Sequence, residues 1–155
     1  VGLAVAALKG HPDHMGVLEA ALGLLQIVAL TDEGQYVLLA GHSVKLAAAV
    51  LKEHPGHEGV QEAGLGFFQN IVFECQEGCE TALAHNTLEE AIAALQRFPE
   101  NAGIQEAGLM HLRNLMDASE GRKRVQAAGH SELALKALQM HPHHEGVQEA
   151  GLSLL

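Results

Sequence analysis

The chain has 155 residues, 48% of them hydrophobic but only 3% aromatic, with no Trp. That is enough apolar material for a packed core, and its Ala, Leu and Val bias favours an all-α protein over a sheet sandwich. Nine Lys and Arg against 19 Asp and Glu leave a net charge of -10, which repels nucleic acid; no apolar run approaches the roughly 20 residues of a membrane span.

The first predicted element starts at Val1 and stops before Pro12; a longer helix carrying Val17-Leu-Glu-Ala-Ala follows it. A second unit, 34–77, opens with a short helix at Gly34. Ser43 then serves as hydroxyl N-cap for a helix whose Val44, Ala47, Ala48 and Leu51 share one face. That helix closes before Pro55, and a third helix is expected from Glu58 to Gln76 with Val60, Ala63, Phe67, Phe68, Ile71 and Val72 inward. A third unit, 78–120, has a short helix from Gly78 to Ala84. A capping box at Thr87-Leu-Glu-Glu90 follows, then a stop at Pro99 and a long helix carrying Gln105-Glu106-Ala107-Gly108. The fourth, 121–155, repeats the plan with Arg122 to Ala128, Ser131 as N-cap, Pro142 and Val147-Gln-Glu-Ala-Gly. The first unit, 1–33, lacks the short helix and the last stops within its long one, so the chain reads as a segment of a longer array.

The four prolines, at 12, 55, 99 and 142, are spaced 43, 44 and 43 residues apart and mark one point of a recurring module. Gly34, Gly78 and Gly121 keep the same period. Such modules stack, because none buries its apolar face alone. Gly64, Gly108 and Gly151, with Ala21 in the first unit, interrupt the long helices and predict close helix approach there.

A glycine-led short helix, an Ala-Gly turn, a second helix ending at Pro and a long helix with Gln-Glu and then Asn-aliphatic resembles the armadillo repeat, most clearly from Gly78 to Met116. The HEAT family is a related alternative. The resemblance implies a right-handed α-solenoid of three-helix repeats whose third helices line a concave groove that holds extended peptides. The family's Asn that binds peptide backbone matches Asn70 and Asn114, with Ile27 in its place in the first unit. The Trp four residues earlier, which walls side-chain pockets in carriers of basic targeting peptides, is replaced by Gly23, Gly66 and Met110.

Glu62, Gly66 and Asn70 fall on one face of the third helix, and Glu19, Glu106 and Glu149 repeat the first of these positions. The expected partner surface is therefore Glu19, Glu62, Gly66, Asn70, Glu106, Met110, Asn114 and Glu149, suited to a basic or polar extended segment. Carboxylates near a helix N-terminus are equally explained by the macrodipole. Paired histidines at His11/His14, His54/His57 and His141/His144 invite a metal, but Phe98 and Asn101 hold these places in the third unit. The simpler expectation is that His11, His54 and His141 donate to the open carbonyls ending their own helices, with no metal. Cys75 and Cys79, placed where a helix ends, are expected as reduced, idle thiols of a cytoplasmic or nuclear protein. Arg122-Lys123-Arg124 is the only basic cluster and reads as a solvated face.

There is no phosphate loop and no nucleophile elbow, so no enzyme activity and no cofactor are expected. The expected function is a scaffold holding a protein or extended peptide along the third-helix groove, with self-association through uncapped ends. The alternative is a structural or regulatory spacer of a larger, kinase-associated or other multidomain protein.

Overall fold

A computed structural model describes residues 1–155 and contains eleven α-helices and no strand. They are α1 Gly2–Gly10, α2 Met15–Val28, α3 Asp32–Ala40, α4 Ser43–Glu53, α5 Glu58–Val72, α6 Gln76–Ala84, α7 Thr87–Arg97, α8 Ala102–Leu115, α9 Ser119–Ala127, α10 His130–Met140 and α11 Glu145–Leu154. The chain is all-α, and its helix order matches a helical repeat. The long helices α2, α5, α8 and α11 pack as a row in sequence order, α5 between α2 and α8 and α8 between α5 and α11. Each unit contributes to one continuous core of 39 buried residues running from Ala4 to Leu154.

The proline punctuation is realised, since α1, α4, α7 and α10 each stop two residues before a Pro. Other boundaries differ from expectation for identifiable reasons. The second helices are not hydroxyl-capped: their N-caps are His42, Asn86 and Gly129, all left-handed at φ 56, 59 and 77, and none makes a side-chain cap bond. Ser43 and Thr87 are instead buried first residues of their helices, and Thr87 donates its hydroxyl to the Ala82 carbonyl rather than closing a capping box. His130, not Ser131, holds the matching place, so Ser131 is one residue out of register and exposed. What this corner requires is a residue tolerant of positive φ, and Gly, Asn and His are among those that meet the requirement most readily.

The third helix of the second unit ends at Val72, four residues before the expected Gln76. Cys75 is the N-cap of α6, its Sγ accepting from the Gly78 amide at 3.3 Å, and Gly78 lies inside the first turn of that helix rather than at its start. The short helices accordingly start two or three residues before the expected positions. Gly34, Gly78 and Gly121 are required by contact, because a Cβ there would run into the carbonyl oxygen of Val28, Ile71 or Leu115 at the end of the preceding long helix. The inferred close approach at Gly64, Gly108 and Gly151 is present: their missing side chains make room for Leu51, Leu95 and Leu138.

Candidate functional site

Side-chain amides end the helices of this protein. The last four carbonyls of any helix lack intrahelical partners, and with few Lys or Arg available the chain meets part of that demand with Gln and Asn. Gln61 Nε2 donates to Leu51 O at 2.8 Å and His54 O at 3.1 Å, closing α4 from α5. Gln105 does the same for α7 through Leu95 O and Phe98 O, at 2.9 and 3.0 Å, and Gln148 for α10 through Leu138 O and His141 O, at 3.0 and 3.1 Å. These three residues were not singled out from the sequence, although their register after each Pro was visible there.

The histidine turns divide their work between the two helix ends. His14, His57 and His144 are N-caps of α2, α5 and α11, each Nδ1 accepting from the backbone amide three residues on, at 3.3, 3.4 and 3.3 Å. Asn101 does this for α8 through Oδ1 at 2.9 Å, which accounts for the third unit's departure from the His pattern. His54 and His141 do not bond the carbonyls of their own helices, which Gln61 and Gln148 already occupy. Their Nε2 atoms instead reach the Pro12 and Pro99 carbonyls of the preceding unit, at 2.8 and 2.7 Å. With the imidazoles spread over these duties, no group of three or more His, Cys, Asp or Glu is placed to hold a metal ion.

An open groove of about 760 Å³ runs across the row of long helices α2, α5 and α8. Glu19, Glu62 and Glu106 line it, one from each helix, together with Gln26, Gln69 and Gly66. Each carboxylate reaches the first turn of the next long helix, packing against Gly59, Gly103 and Gly146 respectively, where any Cβ would collide with it. The positive end of that helix favours the charge. The carboxylates therefore complement the dipole of the following helix rather than that of their own. Glu19 Oε1 lies 3.3 Å from His57 Nδ1, and Glu106 Oε2 lies 3.8 Å from His144 Nδ1. A neutral imidazole spends that nitrogen on the helix amide; a protonated one offers it to the carboxylate.

Of the expected partner residues, Glu19, Glu62, Gly66 and Glu106 come together in this groove. Gly66 is buried beneath the Gln26 amide, so it supplies floor and not an open step. Met110 is half-buried against the core, and Glu149 is exposed on α11. Asn70 Nδ2 donates to Gln26 O at 3.0 Å and Asn114 Nδ2 to Gln69 O at 3.2 Å. Both acceptors are among the open carbonyls ending α2 and α5, so these amides clamp each long helix to the one before it. Asn114 is only 4% exposed. Gln26 and Gln69, which line the groove, were missed in the sequence although they stand at one register position of the repeat.

Elsewhere, His111 is fully buried with its Nε2 2.9 Å from Thr87 Oγ1. Burial pushes its pKa down to about 4, against a smaller opposing effect of the Phe68 backbone. Burial also raises the Cys79 thiol to about 11, with the Cys75, Asp117 and Glu80 charges adding to it, which leaves it protonated and unreactive near neutrality. Arg124 pairs with Glu89 and donates to Leu83 O at 3.1 Å, so the one basic cluster is partly spent between units. No helix is long and apolar enough to cross a membrane. No protein-family model, no curated protein and no solved structure matches the chain.

Proposed function

We propose that the chain forms a right-handed, armadillo-type solenoid and acts as a scaffold that holds an extended, basic segment of a partner protein along the groove of α2, α5 and α8. The observation that carries this reading is the placement of Glu19, Glu62 and Glu106, one per unit, in a single open groove. Repeated carboxylates at the spacing of stacked helices suit a partner strand that offers Lys or Arg at intervals. Gln26 and Gln69 add amides that can meet its backbone, and the absence of Trp walls makes the sites shallow and selective by charge more than by side-chain shape. Asn70 contributes at most its free amide oxygen, and Asn114 serves the helix clamp.

The test is fluorescence anisotropy with a labelled peptide of alternating Arg and Gly, against a Glu-Gly control. Binding that weakens with salt and falls several-fold in Glu62→Gln and in Glu106→Gln supports the groove. Equal binding of both peptides, or binding untouched by the two substitutions, overturns it. The second reading, a structural spacer, draws on the Asn70 and Asn114 clamps, which put the family's peptide-binding amides to internal use.

A further inference from the structure

Two of the three groove carboxylates share their place with an imidazole, and the third does not. Glu19 Oε1 lies 3.3 Å from His57 Nδ1, and Glu106 Oε2 lies 3.8 Å from His144 Nδ1. The same two nitrogens accept from the Val60 and Val147 amides, at 3.4 and 3.3 Å, as the caps of α5 and α11. A neutral ring that accepts there turns a lone pair, not a hydrogen, toward the carboxylate as well. Two acceptors then face each other in a partly exposed site, and a proton on the ring replaces that conflict with an ion pair. At Glu62 the arrangement differs. The cap of the next long helix is Asn101, whose Oδ1 accepts from the Ile104 amide at 2.9 Å and whose Nδ2 donates to Glu58 Oε2 at 2.8 Å. Glu62 packs against Gly103, so the helix it meets carries no titratable cap.

The remaining charged and titratable groups near the two rings have other duties or other places. Around His57, Glu58 of α5 is held by Asn101, the Arg97 guanidinium of α7 lies beside Gly56, and His54 at the end of α4 bonds the Pro12 carbonyl. Asp13 and His14 follow Pro12 in the α1–α2 turn, His14 capping α2. Around His144, the His141 ring stands edge-on with centroids 6.5 Å apart and bonds the Pro99 carbonyl, Glu100 follows that proline, and His143 and Glu145 flank the cap in sequence. The carboxylates paired with the two rings are those of the groove. We propose that His57 and His144 make the groove acid-sensitive: each, once protonated, neutralises its carboxylate, so that protons and the basic segment compete for Glu19 and Glu106, while Glu62 has no imidazole to answer to. Imidazoles gain their proton between about pH 7 and about pH 5.5, where glutamates stay charged. The partner is therefore held near neutrality and released in mild acid. This regulation rests on the binding of a basic segment in the groove.

The test is anisotropy with the labelled Arg-Gly peptide, whose own charge is constant over this range, at about pH 7.5 and about pH 5.5 and equal ionic strength. The proteins are wild type, the double variant His57→Asn/His144→Asn, each single Asn variant, and Glu62→Gln. Asn already caps α8 at this register, so the Asn variants keep their caps, and far-UV circular dichroism at both pH values checks that each is folded. Wild type should bind about tenfold more weakly at the lower pH, about threefold for each imidazole. The double variant should change by less than about twofold, and each single variant should keep about half of the wild-type effect on a logarithmic scale. Glu62→Gln should bind more weakly at both pH values while retaining the wild-type ratio between them. Equal ratios in wild type and the double variant, with binding still dependent on Glu62, would overturn acid release and leave the groove standing. Binding at neither pH, or binding untouched by Glu62→Gln, would overturn the groove itself, and acid release with it.

Discussion

His54 reaches back 42 residues to set its Nε2 2.8 Å from the carbonyl oxygen of Pro12, and His141 repeats the contact on Pro99 at 2.7 Å. Proline lacks an amide hydrogen but keeps its carbonyl, so the residue that stops one helix also becomes the acceptor that receives the next unit. Period and packing are joined in one hydrogen bond.

His54→Ala and His141→Ala should each lower stability by about 0.5–1.5 kcal/mol, the usual net worth of one hydrogen bond. The pair should be nearly additive because the two contacts lie in different junctions. His11→Ala, at the same register but exposed, should change nothing. Urea denaturation of the three variants checks this, and equal losses in all three would show that the ring, not its Pro partner, matters.

Gln105 holds two carbonyls of α7 from a position 3% exposed. Gln105→Ala leaves both acceptors unpaired beside a cavity and should cost about 2–3 kcal/mol. Gln105→Leu should cost less, since Leu18 fills the same register position in the first unit with 0% exposure. Thermal unfolding of both variants measures the gap; a Leu variant worse than Ala would refute the packing comparison.

Two glycines separate contact from conformational cost. A Cβ at Gly78 would strike the backbone carbonyl of Ile71, which has no side-chain freedom to yield, and Gly78→Ala should destabilise by about 1–3 kcal/mol. Gly23, inside α2, has nothing within 4 Å of its Cβ position, so Gly23→Ala should stabilise by about 0.5–1 kcal/mol through its better helix propensity. Chemical denaturation should give opposite signs for the two.

His111 makes stability depend on acid. Its pKa falls from 6.5 to about 4 on folding, so below 6.5 the unfolded chain takes up a proton that the folded chain refuses until about pH 4. The unfolded state binds more protons in that window, and stability falls as pH drops through it. His111→Leu, which copies the Leu24 and Leu154 of this register, should remove up to about 3 kcal/mol of that pH dependence. Parallel denaturation curves for wild type and variant between pH 7 and pH 4 decide it; identical slopes would mean that the ring is hydrated.

The eleven-helix, repeated plan and the stop at every proline were legible in residues 1–155 because a period of 43 or 44 residues and apolar spacings of three or four are written linearly. Hydrophobic stripes depend on helix geometry alone. The polar contacts are different. Asn70 and Asn114 stand where the armadillo pattern puts a peptide-binding amide, yet each reaches a carbonyl 44 or 45 residues earlier, and only the spacing between packed helices decides which acceptor comes within 3.2 Å. Glu19, Glu62 and Glu106 were visible as a recurring carboxylate, but that each sits over the glycine opening the next long helix is a property of the stack. Ser131 misled for the same reason, since a hydroxyl one place out of register looks like a cap until the left-handed corner at Gly129 shows where the helix begins. Sequence by itself determined the modules and their order, because covalent periodicity and helix propensity are local. Tertiary structure decided the partners of each amide, imidazole and carboxylate, because hydrogen bonds act over about 3 Å and those distances exist only once the helices have packed.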